Sequence, residues 1–142
     1  MKIAYIMSHR VLNGVTSSGT AQIRHLLARG HEVHLVHRPG AWIGRQDFEG
    51  AIHRHEVDMG RRWPNFRALR PVRDRLKAAG VEVSYSQGTH ANVIGSIWRA
   101  QGLCPDVAKA AARIWHLHWP FHDAIIAPIP ALIEPGSDPI TG

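Results

Sequence analysis

Two kinds of apolar pattern alternate along this chain. Ile3 to Met7 is a nearly continuous apolar run, as expected of a strand buried on both faces of a parallel sheet. A long Gly-, Ser- and Thr-containing stretch follows, and then Ala21, Ile23, Leu26 and Leu27 recur at helical spacing. This predicts a helix from Ser18 to Arg29, capped by Ser17 or Ser18, with Gly30 as the left-handed residue that ends it. Glu32 to His37 reads as a second strand, closed by Pro39-Gly40. Ala41 to Gly50 reads as loop with Trp42 its only large anchor, and Ala51 to Asp58 as a weaker strand resting on Ile52 and Val57.

The alternation continues. Trp63, Phe66, Leu69, Val72, Leu76 and Ala79 are spaced by three or four, which is helical. Pro71 predicts a kink or a restart within that helix, and Gly80 closes it. Val81 to Tyr85 is the next expected strand, followed by Ser86-Gln87-Gly88-Thr89 and a helix from about His90 to Ala100. Asp106 to Ala111 and Asp123 to Ala127 read as the last two strands, with a short helix from Arg113 to Trp119 between them. The tail from 133 to 142 is rich in Pro and Gly and reads as disordered. Strands alternating with helices imply an α/β fold, three layers deep, with a mostly parallel sheet of about six strands.

Composition narrows the class. A chain of 142 residues, 44% hydrophobic and 20% charged, matches a single globular domain. It contains no apolar run long enough to span a bilayer. No basic segment followed by an apolar one opens the chain, so cytoplasmic residence is expected. Cys104, the single cysteine, rules out an internal disulfide and a multi-cysteine zinc site. The net charge of +6 comes from one segment, Arg61–Lys77, whose seven basic residues face Asp74 alone. Such a segment is a solvated helical face or a surface for peripheral contact with anionic membrane at its inner face. No aromatic platform or recognised motif accompanies it, so nucleic acid is not an expected partner.

The candidate chemistry lies at loops. Ligands in open α/β folds bind beyond the carboxyl ends of the strands. The first loop, about a dozen residues long in this reading, is too long for a dinucleotide fingerprint and lacks a Walker sequence. Its backbone N–H groups and the helix start behind it favour an anionic or hydroxyl-rich ligand. His53 and His55 would share one face of a strand, and His118 and His122 one face of a helix. No Cys, Asp or Glu completes either pair nearby in sequence, so neither a metal nor a cofactor is expected. There is no Gly-x-Ser-x-Gly elbow, and Cys104 beside Pro105 has no evident base.

The ordered set of motifs resembles a known family. The long loop and helix lead into Leu27-Ala28-Arg29-Gly30-His31-Glu32-Val33, which is similar to the N-terminal half of GT-B glycosyltransferases of the family-4-like group. Gly80 to Gly95 resembles that family's next strand, normally Asp-Val-Val-His-x-His, and the Gly-containing helix start after it. Pro105 to Ile129 resembles its following strand, helix and strand, here ending Asp123-Ala124-Ile125-Ile126-Ala127-Pro128-Ile129. The likeness covers nearly all of residues 1–132, which would form one Rossmann-like domain. There are departures. Asn13-Gly14 replaces a Gly-Gly pair, Tyr85-Ser86-Gln87 replaces His-x-His, Ala111 stands where a histidine is common, and Ile129 or Pro130 replaces a serine. The family's C-terminal half, which binds the nucleotide-sugar donor, has no counterpart in this sequence.

The resemblance implies the acceptor-side half of an enzyme that moves a sugar from a nucleotide-sugar donor to a hydroxyl acceptor. It implies substrate-binding roles for Asn13, Gly14, Thr16 and Ser17 in the first loop and for Gln87, Gly88 and Thr89 after the fourth strand. His90 would orient the acceptor or act as a catalytic proton partner. Without a second half to stabilise the departing diphosphate, the chain alone is expected not to turn over. The alternatives are a non-catalytic α/β module that holds a small anionic ligand in the same loop, and a remnant whose cleft face docks onto another protein.

Overall fold

The computed structural model describes residues 1–109 and 124–126. Six strands form one sheet: β1 (Lys2–Met7), β2 (Glu32–His37), β3 (Ile52–Glu56), β4 (Val83–Gln87), β5 (Asp106–Lys109) and β6 (Ala124–Ile126). Their spatial order is β3-β2-β1-β4-β5-β6, and every neighbouring pair is parallel. This is the doubly wound Rossmann order, which reverses direction between β1 and β4. The expected α/β architecture is observed. Among the described residues the α-helices are α1 (Gly14–Ala28), α2 (Phe66–Ala79) and α3 (Thr89–Ala100).

The sheet divides the core in two because side chains alternate along each strand. Ala4 and Ile6 of β1 pack with Leu69, Val72 and Leu76 of α2 and with Ala91, Ile94 and Trp98 of α3. Tyr5 and Met7 point the other way and pack with Ile23 and Leu27 of α1. Both faces of β1 are therefore buried, which explains its unbroken apolar run.

Three local expectations need correction. The first concerns the start of α1. Helix begins at Gly14, so the first loop is only Ser8 to Asn13. Asn13 Oδ1 accepts from the Thr16 N–H at 3.0 Å, and Thr16 Oγ1 accepts from the Asn13 N–H at 2.9 Å. This reciprocal capping box satisfies two backbone donors and pulls the helix start back by a turn. The loop's length therefore no longer argues against a dinucleotide; the absence of the Gly-x-Gly-x-x-Gly spacing still does.

The second concerns Pro71. Helix α2 runs through it without a restart, and Asn65 caps the helix by accepting from the Ala68 N–H at 3.2 Å. Pro71 and Arg67, whose carbonyl loses its donor, both lie on the exposed side. Trp63 falls outside the helix and is 80% exposed.

The third is the segment after β2. It forms a single 3-10 turn, Trp42–Arg45, whose anchor is the fully buried Ile43 rather than the half-buried Trp42. The short helix expected at Arg113 to Trp119, the pair His118 and His122, and the tail from 133 lie outside the described residues.

Candidate functional site

The carboxyl ends of β1 and β4 adjoin at the reversal of strand order, where a doubly wound sheet opens a crevice. Two loops meet there. The loop after β1 holds Ser8, His9 and Arg10; the turn after β4 holds Gly88, Thr89 and His90. Gly88 has φ +100°, and a Cβ on it would lie 2.6 Å from Ser8 Oγ and 3.1 Å from His9 Cε1. Both the backbone conformation and the close approach require glycine. Gly88 also stands as the N-cap of α3 and offers no side chain to bond the helix's first N–H groups. Those donors face the carboxyl edge of the sheet, where a helix start favours negative charge or an acceptor oxygen.

Arg38, just past β2, ties the crevice together. Its Nε donates to Ser8 O at 2.7 Å and its Nη1 to Gly60 O at 2.6 Å. The side chain is 8% exposed. Desolvation and the nearby Arg10 lower its pKa, and Asp58 works against them. The carboxylate of Asp58 lies below the usual range because it accepts from the Gly60 N–H and from Asn65. Thus the loops after β1 and β3 are both fastened to one buried cation.

The residues expected to bind substrate separate into two sets. Asn13, Gly14, Ser17 and Thr89 are exposed, and Gly88 and His90 are half-buried. Thr16 and Gln87 are inside. Thr16 is consumed by the capping box and by donation to Val11 O at 3.0 Å. Gln87, 2% exposed, accepts from Tyr5 O–H at 2.5 Å and donates to Val15 O at 3.2 Å. Its amide joins β4, β1 and α1, a structural duty that leaves neither end directed at a ligand. His90 is held by donation from Nε2–H to Met59 O at 2.6 Å, so only Nδ1 remains for a proton partner.

One residue escaped the sequence reading. His9 Nδ1 is buried without a hydrogen-bond partner, beside Gly88. Burial, aided by the Arg38 charge, lowers its pKa from the ordinary 6.5, so the ring is neutral at pH 7. A neutral imidazole with an unsatisfied nitrogen can accept a proton or bind a hydroxyl. The cue in the sequence was a histidine two residues past a buried first strand.

Solved structures with this fold include MurG from Acinetobacter baumannii, with a TM-score of 0.72 and 14% sequence identity over 98% of this chain and 44% of that one. A proposed UDP-N-acetylglucosamine 2-epimerase from Listeria monocytogenes gives 0.64 at 13% identity, covering 92% of this chain and 39% of that one. A short-chain dehydrogenase/reductase from Burkholderia vietnamiensis gives 0.54 at 11% identity, covering 94% and 86%. No protein-family model and no curated protein matches the chain. The chain spans less than half the length of the first two proteins. The likeness to an N-terminal GT-B domain therefore holds as a likeness of fold. Because a dehydrogenase shares the same architecture, the fold by itself does not select a reaction.

Proposed function

We propose that this chain is the acceptor-side half of a sugar-transferring site, with the acceptor hydroxyl held in the crevice between β1 and β4. The unpartnered Nδ1 of His9 carries the reading, because it stands against Gly88 at the strand-order reversal. Nδ1 has no solvent-accessible surface in this structure, so it receives a hydroxyl proton, or orients the hydroxyl for attack, once the loop after β1 shifts to admit the acceptor. The open N–H groups at the start of α3 would complement a donor phosphate, while Asn13, Gly14 and Ser17, exposed at the start of α1, would contact the acceptor's other hydroxyls. His90, bound to Met59 O, positions the α3 start and leaves Nδ1 as a secondary proton partner. The donor is a nucleotide-sugar, bound mainly by a second domain outside this sequence. The fold's match to less than half of MurG and of the epimerase supports that division.

A membrane-borne acceptor fits the surface nearby. Trp63 and Phe66 are exposed within the Arg61–Lys77 basic segment, and Val11 and Leu12 are exposed in the first loop. Exposed aromatics next to cations suit a peripheral membrane contact at an anionic leaflet. The uncapped α3 start favours one alternative, a non-catalytic module for a small anion.

Turnover tests the division of labour. The purified chain, supplied with UDP-N-acetylglucosamine and a panel of hexose and lipid-phosphate acceptors, should transfer no sugar above background. Transfer by the chain alone would overturn the half-site reading. Binding of inorganic phosphate without any binding of hexoses would favour the anion module.

A further inference from the structure

At the opposite edge of the sheet, the amino ends of β2 and β3 gather side chains that are far apart in sequence. Parallel pairing sets His34 beside His53 and Val36 beside His55. Period-two alternation then puts Glu32, His34, His53 and His55 on one face. Glu32 Oε1 lies 3.1 Å from His34 Nε2 and 3.0 Å from His53 Nε2. The His34 and His53 rings stack with centroids 4.6 Å apart. On the far side of its ring, His34 Nδ1 is 3.0 Å from His55 Nε2. Within β3 the one carboxylate, Glu56, falls on the other face from His53 and His55; β2 supplies both a carboxylate and a third imidazole on theirs.

We propose that Glu32, His34 and His53 form a binding site for a divalent transition-metal ion of the zinc class, with His55 orienting His34. The three donor atoms, Glu32 Oε1, His34 Nε2 and His53 Nε2, lie within 4.8 Å of one another. Bonds of about 2.0–2.1 Å in a tetrahedral zinc site separate its ligands by about 3.3 Å, close to the two Glu32 distances. Two imidazoles and one carboxylate are a known zinc ligand set, with the fourth position left to solvent.

The hydrogen bonds also suit ion entry. Without metal, His34 Nε2–H and His53 Nε2–H donate to Glu32, and His55 Nε2–H donates to His34 Nδ1. When metal takes His34 Nε2, that proton moves to Nδ1, which donates to His55 Nε2, and His55 carries its proton on Nδ1. The His53 proton likewise moves to Nδ1. No net proton is lost, and His55 takes the orienting role that a second ligand shell plays in metal sites. Two cations stand nearby, Lys2 on β1 and Arg75 on α2. The Lys2 ammonium is turned to Ala79 O at 2.9 Å. His53 is 52% exposed at its side chain, so an ion has a way in.

The cluster is remote from the crevice, so this inference does not depend on the sugar-transfer reading. Its effect would be structural: β3 is the edge strand and pairs only with β2 among the described strands. An ion bridging them would pin the register of that pair.

Zinc chloride titrated into the chain, read by calorimetry and by competition with a chromophoric chelator, tests the site. The expected result is one equivalent bound, with affinity at least tenfold weaker in His53→Ala and in Glu32→Gln. His55→Ala should weaken binding by about 10–100-fold, and His25→Ala, at an exposed position on α1, should leave it unchanged. Zinc should also raise the Tm of the wild type and not that of His53→Ala. Circular dichroism of the variants checks that each remains folded. Absence of binding, or binding that these ligand variants leave unaltered, would overturn the proposal.

Discussion

Gly88 and Ser8 approach so closely that a single added carbon would stand 2.6 Å from the Ser8 hydroxyl oxygen. That contact packs the loop after β1 against the turn after β4, at the carboxyl ends of two strands already joined by their ladder, where the strand order reverses.

Gly88→Ala should therefore lose stability twice over, through the positive φ and through the clash. About 1–3 kcal/mol is expected from urea unfolding. Gly30→Ala provides the comparison, since Gly30 also has positive φ but nothing within 4 Å of its Cβ position. It should cost only about 1 kcal/mol. Adding Ser8→Gly to Gly88→Ala should recover the clash component, and a strictly additive double variant would contradict the contact.

His9 gives a pH prediction. Burial first, and Arg38 second, lower its pKa from 6.5. A histidine depressed in the folded state contributes stability that is complete above the unfolded value near 6.5. That contribution is lost as pH falls through the folded pKa, because the unfolded chain then binds the proton more readily. Ring resonances followed by NMR should give a His9 midpoint below 6.5. Arg38→Gln should raise that midpoint by removing the like charge. A midpoint at or above 6.5 in the wild type would contradict the buried, neutral ring.

Much of this fold was legible in the chain itself. The apolar run of β1 announces a strand covered on both faces, and Gly30 and Gly80 mark where α1 and α2 end. The start of α1 was hidden because Gly14-Val15-Thr16-Ser17-Ser18-Gly19 is a poor helix former. Only the Asn13/Thr16 spacing betrays the cap. Gly19 is tolerated there because a Cβ would lie 2.6 Å from Met7 Cε, so its absence lets α1 approach the sheet closely. Ile43 gave no periodic signal, because it sits in a three-residue apolar run, Ala41-Trp42-Ile43, closed in by Pro39-Gly40 and Gly44.

The site was legible only in part. The place of Gly88, Thr89 and His90, after a strand and at the opening of a helix, is readable from the sequence. Gln87 and Thr16 look available in the sequence because polar residues near a loop do so until the partners that bury them are known. The Glu32, His34, His53 and His55 cluster depends on which strands pair and in what register, which local pattern does not encode.

The membrane reading has its own test. Vesicles rich in an anionic phospholipid should co-sediment with the chain, and neutral phosphatidylcholine vesicles should not. Trp63→Ala combined with Arg61→Glu and Arg62→Glu should abolish the binding, with added salt weakening it in the wild type. Equal binding to both vesicle types, or none to either, would remove the membrane-borne acceptor from the account.

The central claim is that the crevice between β1 and β4 receives a sugar acceptor. Backbone amide shifts of the isotopically labelled chain, followed as N-acetylglucosamine and glucose 6-phosphate are added, test it most directly. The account predicts saturable shifts at Ser8 to Asn13 and at Gly88 to His90, and their loss in His9→Ala. Shifts confined to other surfaces, or none at millimolar ligand, would contradict it.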